Sequence, residues 1–123
     1  MILEMLIACT LFYEAGGESL QGKQAVASVI VNRAADNGGD IRKVILKPKQ
    51  FSCWNIRKTK QRTKLPQGRA WSDCQKIAGK IVAGTFKPTI SANHYYNPSL
   101  CSPSWGKALR GKVAIGNHTF GEL

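Results

Sequence analysis

The chain has 123 residues, the length of one domain with one hydrophobic core, and we predict a single domain over residues 1–123. Its 18 Lys and Arg outweigh 7 Asp and Glu, and the net charge of +11 favours polyanionic partners such as nucleic acid, anionic lipid or an anionic bacterial wall. A hydrophobic content of 43% argues against disorder, and no apolar run approaches the ~20 residues of a transmembrane helix.

The N-terminal part of the chain is predicted to be helical. One helix spans about Leu3 to Tyr13, where apolar residues recur on one face until two glycines break the pattern. The next includes residues 24–33, a nearly all-apolar run typical of a helix buried on most sides, and the turn cluster at residues 36–40 ends it. A short third helix is predicted over residues 41–46.

The C-terminal part is less regular. A helix is predicted from Trp71 to Gly84, a glycine that suits the position after a helix end. The apolar pieces 92–96 and 113–120 are compatible with strands or with loops. These elements predict an α+β fold class that is mainly helical.

The first helix is preferred to a signal peptide, because no basic residue precedes the apolar stretch, which is short and interrupted by Glu4. A chain without an export signal is made in the reducing cytoplasm. We therefore expect its cysteines to be mostly free and buried, with one pair able to oxidise outside the cell. The four are Cys9, Cys53, Cys74 and Cys101.

Metal and cofactor chemistry is not indicated by the sequence. The two histidines, His94 and His118, lie 24 positions apart. The sequence contains neither the zinc motif H-E-x-x-H, nor a C-x-x-C pair, nor a Gly-rich phosphate loop. We predict no metal and no cofactor.

Glu14 is the carboxyl that the residue pattern marks as a candidate general acid. It follows the apolar face of the first helix and adjoins Phe12 and Tyr13, so its side chain is expected to lose solvation. Desolvation raises the pKa of a carboxyl, which suits an acid that must be protonated at neutral pH. The alternative is a surface glutamate at a helix end before a glycine pair.

Two segments combine flat rings with amides and hydroxyls: residues 50–55, and residues 93–98 followed by Trp105. Sugars are bound by such sets, because rings cover their apolar faces and amides contact their hydroxyls. Ordinary burial of aromatic residues is one alternative. A nucleic-acid-binding module is another, since ten Lys and Arg and no acid lie between Arg42 and Arg69.

Six motifs resemble those of the bacterial cell-wall hydrolase family that includes the germination-specific spore-cortex-lytic enzymes. In chain order they are Tyr13-Glu14-Ala15-x-Gly17-Glu18, the helix from Gly22-Lys23-Gln24 to Val31-Asn32-Arg33, Gln50-Phe51-Ser52-Cys53-Trp54, His94-Tyr95-Tyr96-Asn97-Pro98, Pro103-Ser104-Trp105 and Ile115-Gly116-Asn117-His118-x-Phe120. Each is weak alone, but six in the family's order cover almost the whole chain and are specific.

The resemblance implies a lysozyme-like fold and a lytic transglycosylase that cleaves the MurNAc-GlcNAc bond of peptidoglycan. It places the family's catalytic glutamate at Glu14 and the second glutamate of the motif at Glu18, with a positioning or structural role. We expect only the catalytic domain, without the separate wall-binding module of the larger spore enzymes. The residues expected to bind the sugar are Gln50, Phe51, Ser52, Trp54, His94, Tyr95, Tyr96 and Asn97.

The scarcity of carboxylates favours transglycosylation over hydrolysis. A hydrolysing glycosidase normally needs two carboxylates across the scissile bond, and no obvious second one adjoins the aromatic segments. A transglycosylase manages with one, because the MurNAc C6 hydroxyl is the internal nucleophile. A muramidase assisted by Glu18 or an aspartate is one alternative, and a thiol peptidase that pairs Cys53 or Cys101 with a histidine is another.

A short, basic catalytic domain of this kind is typical of phage endolysins. We expect a monomer that is made in the cytoplasm and acts on the bacterial wall, with peptidoglycan glycan strands as its substrate. Its positive charge is expected to attach it to anionic wall or outer-membrane polymers, with no dedicated nucleic-acid partner. A bacterial housekeeping or spore enzyme is the alternative.

Overall fold

The computed structural model describes residues 2–47 and 67–123. In chain order these ranges contain α1 (Leu3–Ala15), α2 (Leu20–Asp36), α3 (Ile41–Leu46), α4 (Arg69–Ala83), β1 (His94–Tyr96), a 3-10 helix (Ser104–Ala108), β2 (Arg110–Ile115) and β3 (His118–Glu122). The strands form an antiparallel sheet in the order β1-β3-β2. The predicted α+β, mainly helical fold class is confirmed.

Capping side chains determine where two of the helices begin. The Ser19 hydroxyl accepts a 3.2 Å hydrogen bond from the N–H three residues later. This cap starts α2 at Leu20, upstream of the apolar run from which the helix was predicted. The Asp40 carboxylate caps α3 in the same way with a 3.1 Å bond, and α3 covers the predicted residues 41–46.

Each of the other two helices extends two residues beyond its predicted span at one end. α1 continues to Ala15, and α4 begins at Arg69. Gly84 ends α4 in the left-handed conformation, with φ of 76°, as the sequence predicted.

The buried centre of the fold is α2. Its residues Val26, Val29 and Ile30 are fully buried in one apolar cluster with Ile7 of α1 and with Phe120 of β3. Burial of each such side chain contributes about 1.5–3 kcal/mol. Phe120 attaches one face of the small sheet to the helices.

Polar side chains near the C-terminal end of α2 fix the segment that leads into β1. The Asn32 amide donates 2.9 Å hydrogen bonds to the carbonyls of Ile90 and Ala92. The Arg33 guanidinium donates through Nε (3.0 Å) and Nη2 (2.8 Å) to the carbonyl of Asn93. The buried helix thereby sets the position of the first strand.

The predicted apolar piece 113–120 is not one element but two strands around a tight turn. Ile115 of β2 pairs with His118 of β3, so that the two-residue loop between them is Gly116-Asn117. Gly116 has a φ of 59°, which is strained for any residue with a side chain. The other piece, 92–96, contains β1.

The described thiols are free. Cys9 and Cys74 are buried as expected, whereas Cys101 is exposed, and Cys53 lies outside the described residues. Burial raises the pKa of the Cys74 thiol to about 11, so it is protonated and unreactive near neutral pH.

Within residues 2–47 and 67–123, every helix is too short or too polar to cross a membrane.

Candidate active site

Glu14 lies in the last turn of α1 and is partly buried. The rings of Phe12 and Tyr13 beside it pack edge to face at 5.4 Å, and Phe12 also meets Trp71 of α4 at 5.8 Å. The Tyr95 hydroxyl donates a 2.7 Å hydrogen bond to Oε1 of Glu14. The structure thus brings one predicted sugar-binding residue directly onto the predicted catalytic carboxyl.

Tyr95 is held in place by two rings of the neighbouring strand. It is the middle residue of β1 and pairs with Phe120 of β3, whose ring centroid lies 5.6 Å from its own. The His118 ring meets it edge to face at 5.1 Å. These contacts restrict the tyrosine ring, so its hydroxyl is presented to α1 with little freedom to turn away.

Glu18, four residues after Glu14, uses both carboxylate oxygens to bind the β2–β3 turn. Oε1 accepts from the backbone N–H of Asn117 at 2.9 Å, and Oε2 accepts from its side-chain amide at 2.8 Å. The backbone bond is the main reason that the pKa of Glu18 is lowered; partial burial opposes the shift, and the amide, His118 and Lys23 reinforce it. Glu18 is therefore ionised near neutral pH.

Two glycines and a lysine enclose Glu18. A Cβ added to Gly116 would lie 2.2 Å from Oε1 of Glu18, and a Cβ added to Gly22 would lie 2.8 Å from the Cβ of Glu18. The ammonium of Lys23, which is only 4% exposed, donates to the backbone carbonyl of Glu18. A side chain at position 116 would therefore displace the Glu18 carboxylate and would be strained by the positive φ of the turn.

His118 is a buried histidine that lies between Glu18 and the ring of Tyr95. Its Nδ1 lies 3.8 Å from Oε1 of Glu18 and makes no hydrogen bond within the described part of the chain. Burial lowers its pKa, against the opposing effect of Glu18, so the imidazole is neutral near pH 7. Sequence reasoning left Asn117 and His118 out of the predicted site, although both stand in the last of the family-like motifs.

His94 and Tyr96 lie on the opposite face of β1 from Tyr95, because successive side chains of a strand alternate. Both rings pack against Trp105, at centroid distances of 5.1 and 5.7 Å. His94 Nδ1 also shares a 2.9 Å hydrogen bond with Oδ1 of Asn93. Burial, and after it Arg33, lowers the pKa of His94.

Of the five remaining predicted sugar-binding residues, the structure describes one. Asn97 follows β1, and its side-chain oxygen accepts a 2.9 Å hydrogen bond from the N–H of Ser99, which stabilises a turn. The last four, Gln50, Phe51, Ser52 and Trp54, lie outside the described residues. Of the residues that the structure describes, no group of three or more His, Cys, Asp and Glu is arranged to hold a metal ion.

The two glutamates are suited to different chemistry. Glu14 combines partial burial with a hydroxyl donor, a setting in which a carboxyl can exchange a proton with a bound substrate. The carboxylate of Glu18 already accepts two hydrogen bonds from within the protein, and its lowered pKa keeps it ionised. The geometry therefore favours Glu14 as the group that transfers protons.

Comparison with known proteins places the chain in a family. The model of the cell wall hydrolase family matches residues 17–121, a region that begins three residues after Glu14. The spore cortex-lytic enzyme of Oceanobacillus iheyensis is 28% identical over 120 residues, which are 94% of this chain and 40% of that protein. The chain thus spans about two fifths of the length of this curated relative.

Two solved structures share the lysozyme-like fold over 97% of this chain. The catalytic domain of the germination-specific lytic transglycosylase SleB from Bacillus anthracis is 25% identical, with a TM-score of 0.75 and 93% of that chain covered. The catalytic domain of Bacillus cereus SleB is 26% identical, with a TM-score of 0.75 and 88% covered. Because the family model spans most of the sequence, this chain belongs to the cell wall hydrolase family.

Proposed function

We propose that this chain cleaves the MurNAc-GlcNAc bond of peptidoglycan as a lytic transglycosylase, with Glu14 as its general acid and base. The observation that carries the proposal is the contrast between the two glutamates of the family motif. Tyr95 presents a hydroxyl to Glu14, whereas Asn117 occupies both oxygens of Glu18. The name of the similar Bacillus anthracis domain, a lytic transglycosylase, supports the same reaction.

In the proposed reaction Glu14 acts twice. Its protonated carboxyl first gives a proton to the glycosidic oxygen as the bond to the MurNAc C1 atom breaks, and the GlcNAc side leaves as an alcohol. The resulting carboxylate then takes the proton of the MurNAc C6 hydroxyl as that oxygen bonds to C1 and closes the 1,6-anhydro ring. The proton returns to Glu14, so no water is consumed and no cofactor is needed.

Tyr95 suits both halves of this cycle. A hydroxyl that donates to a carboxylate stabilises the ionised form, which is the form that must accept the C6 proton. It also fixes the direction of the carboxyl, which general acid catalysis requires. We propose that Tyr95 contacts the sugar beside Glu14, together with the predicted residues Gln50, Phe51, Ser52 and Trp54. His94 and Tyr96 lie on the other face of β1 and Asn97 lies in the turn after it, so we propose that these three contact the glycan only away from the scissile bond.

The state of Glu18 supports transglycosylation over hydrolysis with water. A hydrolysing glycosidase uses a second carboxylate to activate water or to attack the sugar. A carboxylate that already accepts two hydrogen bonds from Asn117 is a weak base for such a step. The MurNAc C6 hydroxyl removes the need for it.

Product analysis tests the proposal. Purified peptidoglycan is digested with the protein, and the fragments are analysed by mass spectrometry. We expect ends that carry 1,6-anhydro-MurNAc, about 18 Da lighter than the reducing ends that hydrolysis leaves, because one water is not added. Reducing ends would identify a muramidase, and the absence of any released fragment would refute both.

Attachment to the wall is a separate part of the proposal. We propose that the net charge of +11 attracts anionic wall or outer-membrane polymers. The Lys- and Arg-rich stretch from Arg42 to Arg69 should contribute, and its described part includes the exposed side chains of Arg42, Lys43 and Lys47. At 0.15 M salt the Debye length is about 8 Å, so added salt should slow clearing of whole walls far more than cleavage of a short soluble glycan. Equal sensitivity would contradict the proposal.

The biological setting is proposed to be lysis from the cytoplasm, as by a phage endolysin. The test is expression in a bacterial host, alone and together with a membrane-permeabilising partner protein. Lysis that requires the partner is expected. Lysis without the partner would indicate another route to the wall.

A further inference from the structure

We infer that Glu18 is a positioning residue that acts on Glu14 through the β2–β3 turn and Tyr95, without touching the sugar. This inference rests on the proposed function of Glu14. It assigns the second glutamate of the motif a route of action, and each link in that route is a contact between named groups.

The first link is the clamp between Glu18 and the turn. Both of its oxygens bind Asn117, and the lack of a Cβ at Gly116 lets the turn approach the carboxylate this closely. Lys23 and Gly22 hold Glu18 from the side of α2. The start of α2 and the tip of the hairpin are therefore joined as one unit, although 99 residues separate them in sequence.

The second link runs from the turn to Tyr95. His118 directly follows Asn117 and packs edge to face on the Tyr95 ring at 5.1 Å. Its Nδ1, buried and with no hydrogen bond in the described ranges, lies 3.8 Å from Glu18. A shift of the turn would carry the imidazole with it and would release the tyrosine ring from one side.

The third link is the 2.7 Å hydrogen bond from the Tyr95 hydroxyl to Glu14. It joins groups 81 residues apart and depends on the ring orientation that His118 and Phe120 impose. Loss of the clamp should therefore change the same contact that is lost when the hydroxyl alone is removed.

A double-mutant cycle tests this route, because residues that act through one another give non-additive effects. Glu18→Gln keeps an oxygen for the Asn117 N–H and disturbs the amide contact, while Tyr95→Phe removes only the hydroxyl. We expect each variant to lower kcat about tenfold with KM within about twofold of wild type, the size of one hydrogen bond to a charged group. The double variant should then lose about 10- to 20-fold, not the ~100-fold of independent effects.

Two results would overturn the inference. A double variant that loses the product of the single losses would mean that Glu18 acts independently of Tyr95. A Glu18→Gln variant with raised KM and unchanged kcat would mean that Glu18 contacts the substrate. If wild-type protein releases no peptidoglycan fragments, the proposed function fails instead, so the two failures are distinguishable.

A milder variant keeps the test valid if Glu18→Gln does not fold. Asn117→Ala retains the backbone N–H that binds Oε1 of Glu18 and removes only the amide that binds Oε2. Combined with Tyr95→Phe, it should again be non-additive, with a single-variant loss of about threefold. Additive losses in this second cycle would overturn the inference as firmly as in the first.

Discussion

The end of α1 and the start of α2 each carry a glutamate of the family motif, yet their surroundings differ. At the end of α1, Glu14 receives a hydroxyl from a strand that the helical core positions. At the start of α2, Glu18 receives a backbone N–H and an amide from a hairpin turn and is enclosed by glycines. Four positions of sequence thus separate a carboxyl suited to proton transfer from one suited to structure.

The comparison indicates that the donor facing each carboxylate, and not its place in the motif, distinguishes the roles proposed for these two glutamates. A hydroxyl can follow its partner through a change of protonation state, because it both donates and accepts. A backbone N–H and the NH₂ group of an amide donate only, and they hold a carboxylate in its ionised form. The expectation that burial raises the pKa of Glu14 stays a prediction.

Exchange of each glutamate for glutamine should give the largest effects, and the two exchanges should differ. Glu14→Gln removes proton transfer with almost no change of shape, and we expect wall lysis to fall by ~10²–10⁴-fold while the thermal unfolding midpoint hardly moves. Glu18→Gln should lower the unfolding midpoint as well as activity. Turbidity clearing and calorimetry measure the two effects.

The control for this experiment is Glu4→Gln, which changes an exposed carboxylate in the first turn of the same helix. It should leave both lysis and stability at wild-type levels. Lysis by Glu14→Gln within threefold of wild type would remove Glu14 from the catalytic role.

The second largest effect should come from the glycine beside Glu18. Gly116→Ala forces a side chain into a φ of 59° and places its Cβ 2.2 Å from the carboxylate, so we expect a loss of about 2–4 kcal/mol in the free energy of unfolding. Gly111→Ala is a matched control in the same hairpin, with a φ of 60° and open space around the Cβ. It should cost only about 1–2 kcal/mol, the backbone strain alone.

Chemical denaturation of the two variants gives the comparison directly. Equal losses of unfolding free energy in the two variants would mean that Glu18 and the turn move apart to make room for the added methyl group at little cost.

The helices were predictable from local patterns, whereas the contacts of the site were not. Apolar periodicity and the capping residues at Asp40 and Gly84 are local signals, and α3 and the end of α4 follow them. The bond from Tyr95 to Glu14 spans 81 residues, and the clamp from Asn117 to Glu18 spans 99. No local pattern records such pairs.

Strand alternation explains why the residues of one motif divide between two faces. The motif of residues 94–98 was interpreted as one sugar-binding set, because its rings and amides are adjacent in sequence. In β1, Tyr95 points to Glu14 while its two neighbours point to Trp105. A three-residue strand is too short for its period to be recognised from sequence.

A smaller effect is expected on the pH dependence of stability, because His118 and Glu18 lose their stabilisation in different pH ranges. Burial lowers the pKa of His118 from its usual value of 6.5, so the unfolded chain binds a proton more readily than the folded one as pH falls. The stability from burying the neutral imidazole is present above pH 6.5 and is lost as pH falls through the lowered pKa. His94 shows a shift in the same direction.

His118→Phe keeps a ring against Tyr95 and removes the titration. Between pH 6.5 and 5, we expect the unfolding free energy of wild type to fall more steeply than that of the variant, by up to about 1.4 kcal/mol per pH unit. Glu18 contributes in a lower window, because its pKa is lowered from 4.5 and its stabilisation is lost only as pH falls through that lower value. Parallel pH curves for the two proteins would show that the folded state binds a proton at His118 as easily as the unfolded chain does.

The smallest effect is expected at His94, on the face of β1 that points away from Glu14. Gln at this position can keep a hydrogen bond to Asn93 but cannot titrate near neutral pH, and it loses the edge-to-face contact with Trp105. We expect His94→Gln to lose about 0.5–1.5 kcal/mol of stability, the value of one aromatic pair, and to retain most of its activity. The acid limb of its pH-rate profile should coincide with that of wild type, because the Tyr95 side chain and Glu14 lie on the other face of β1. If activity vanishes while the fold is intact, or if that limb moves by more than about one pH unit, His94 carries a proton in the reaction and the single-carboxylate mechanism is wrong.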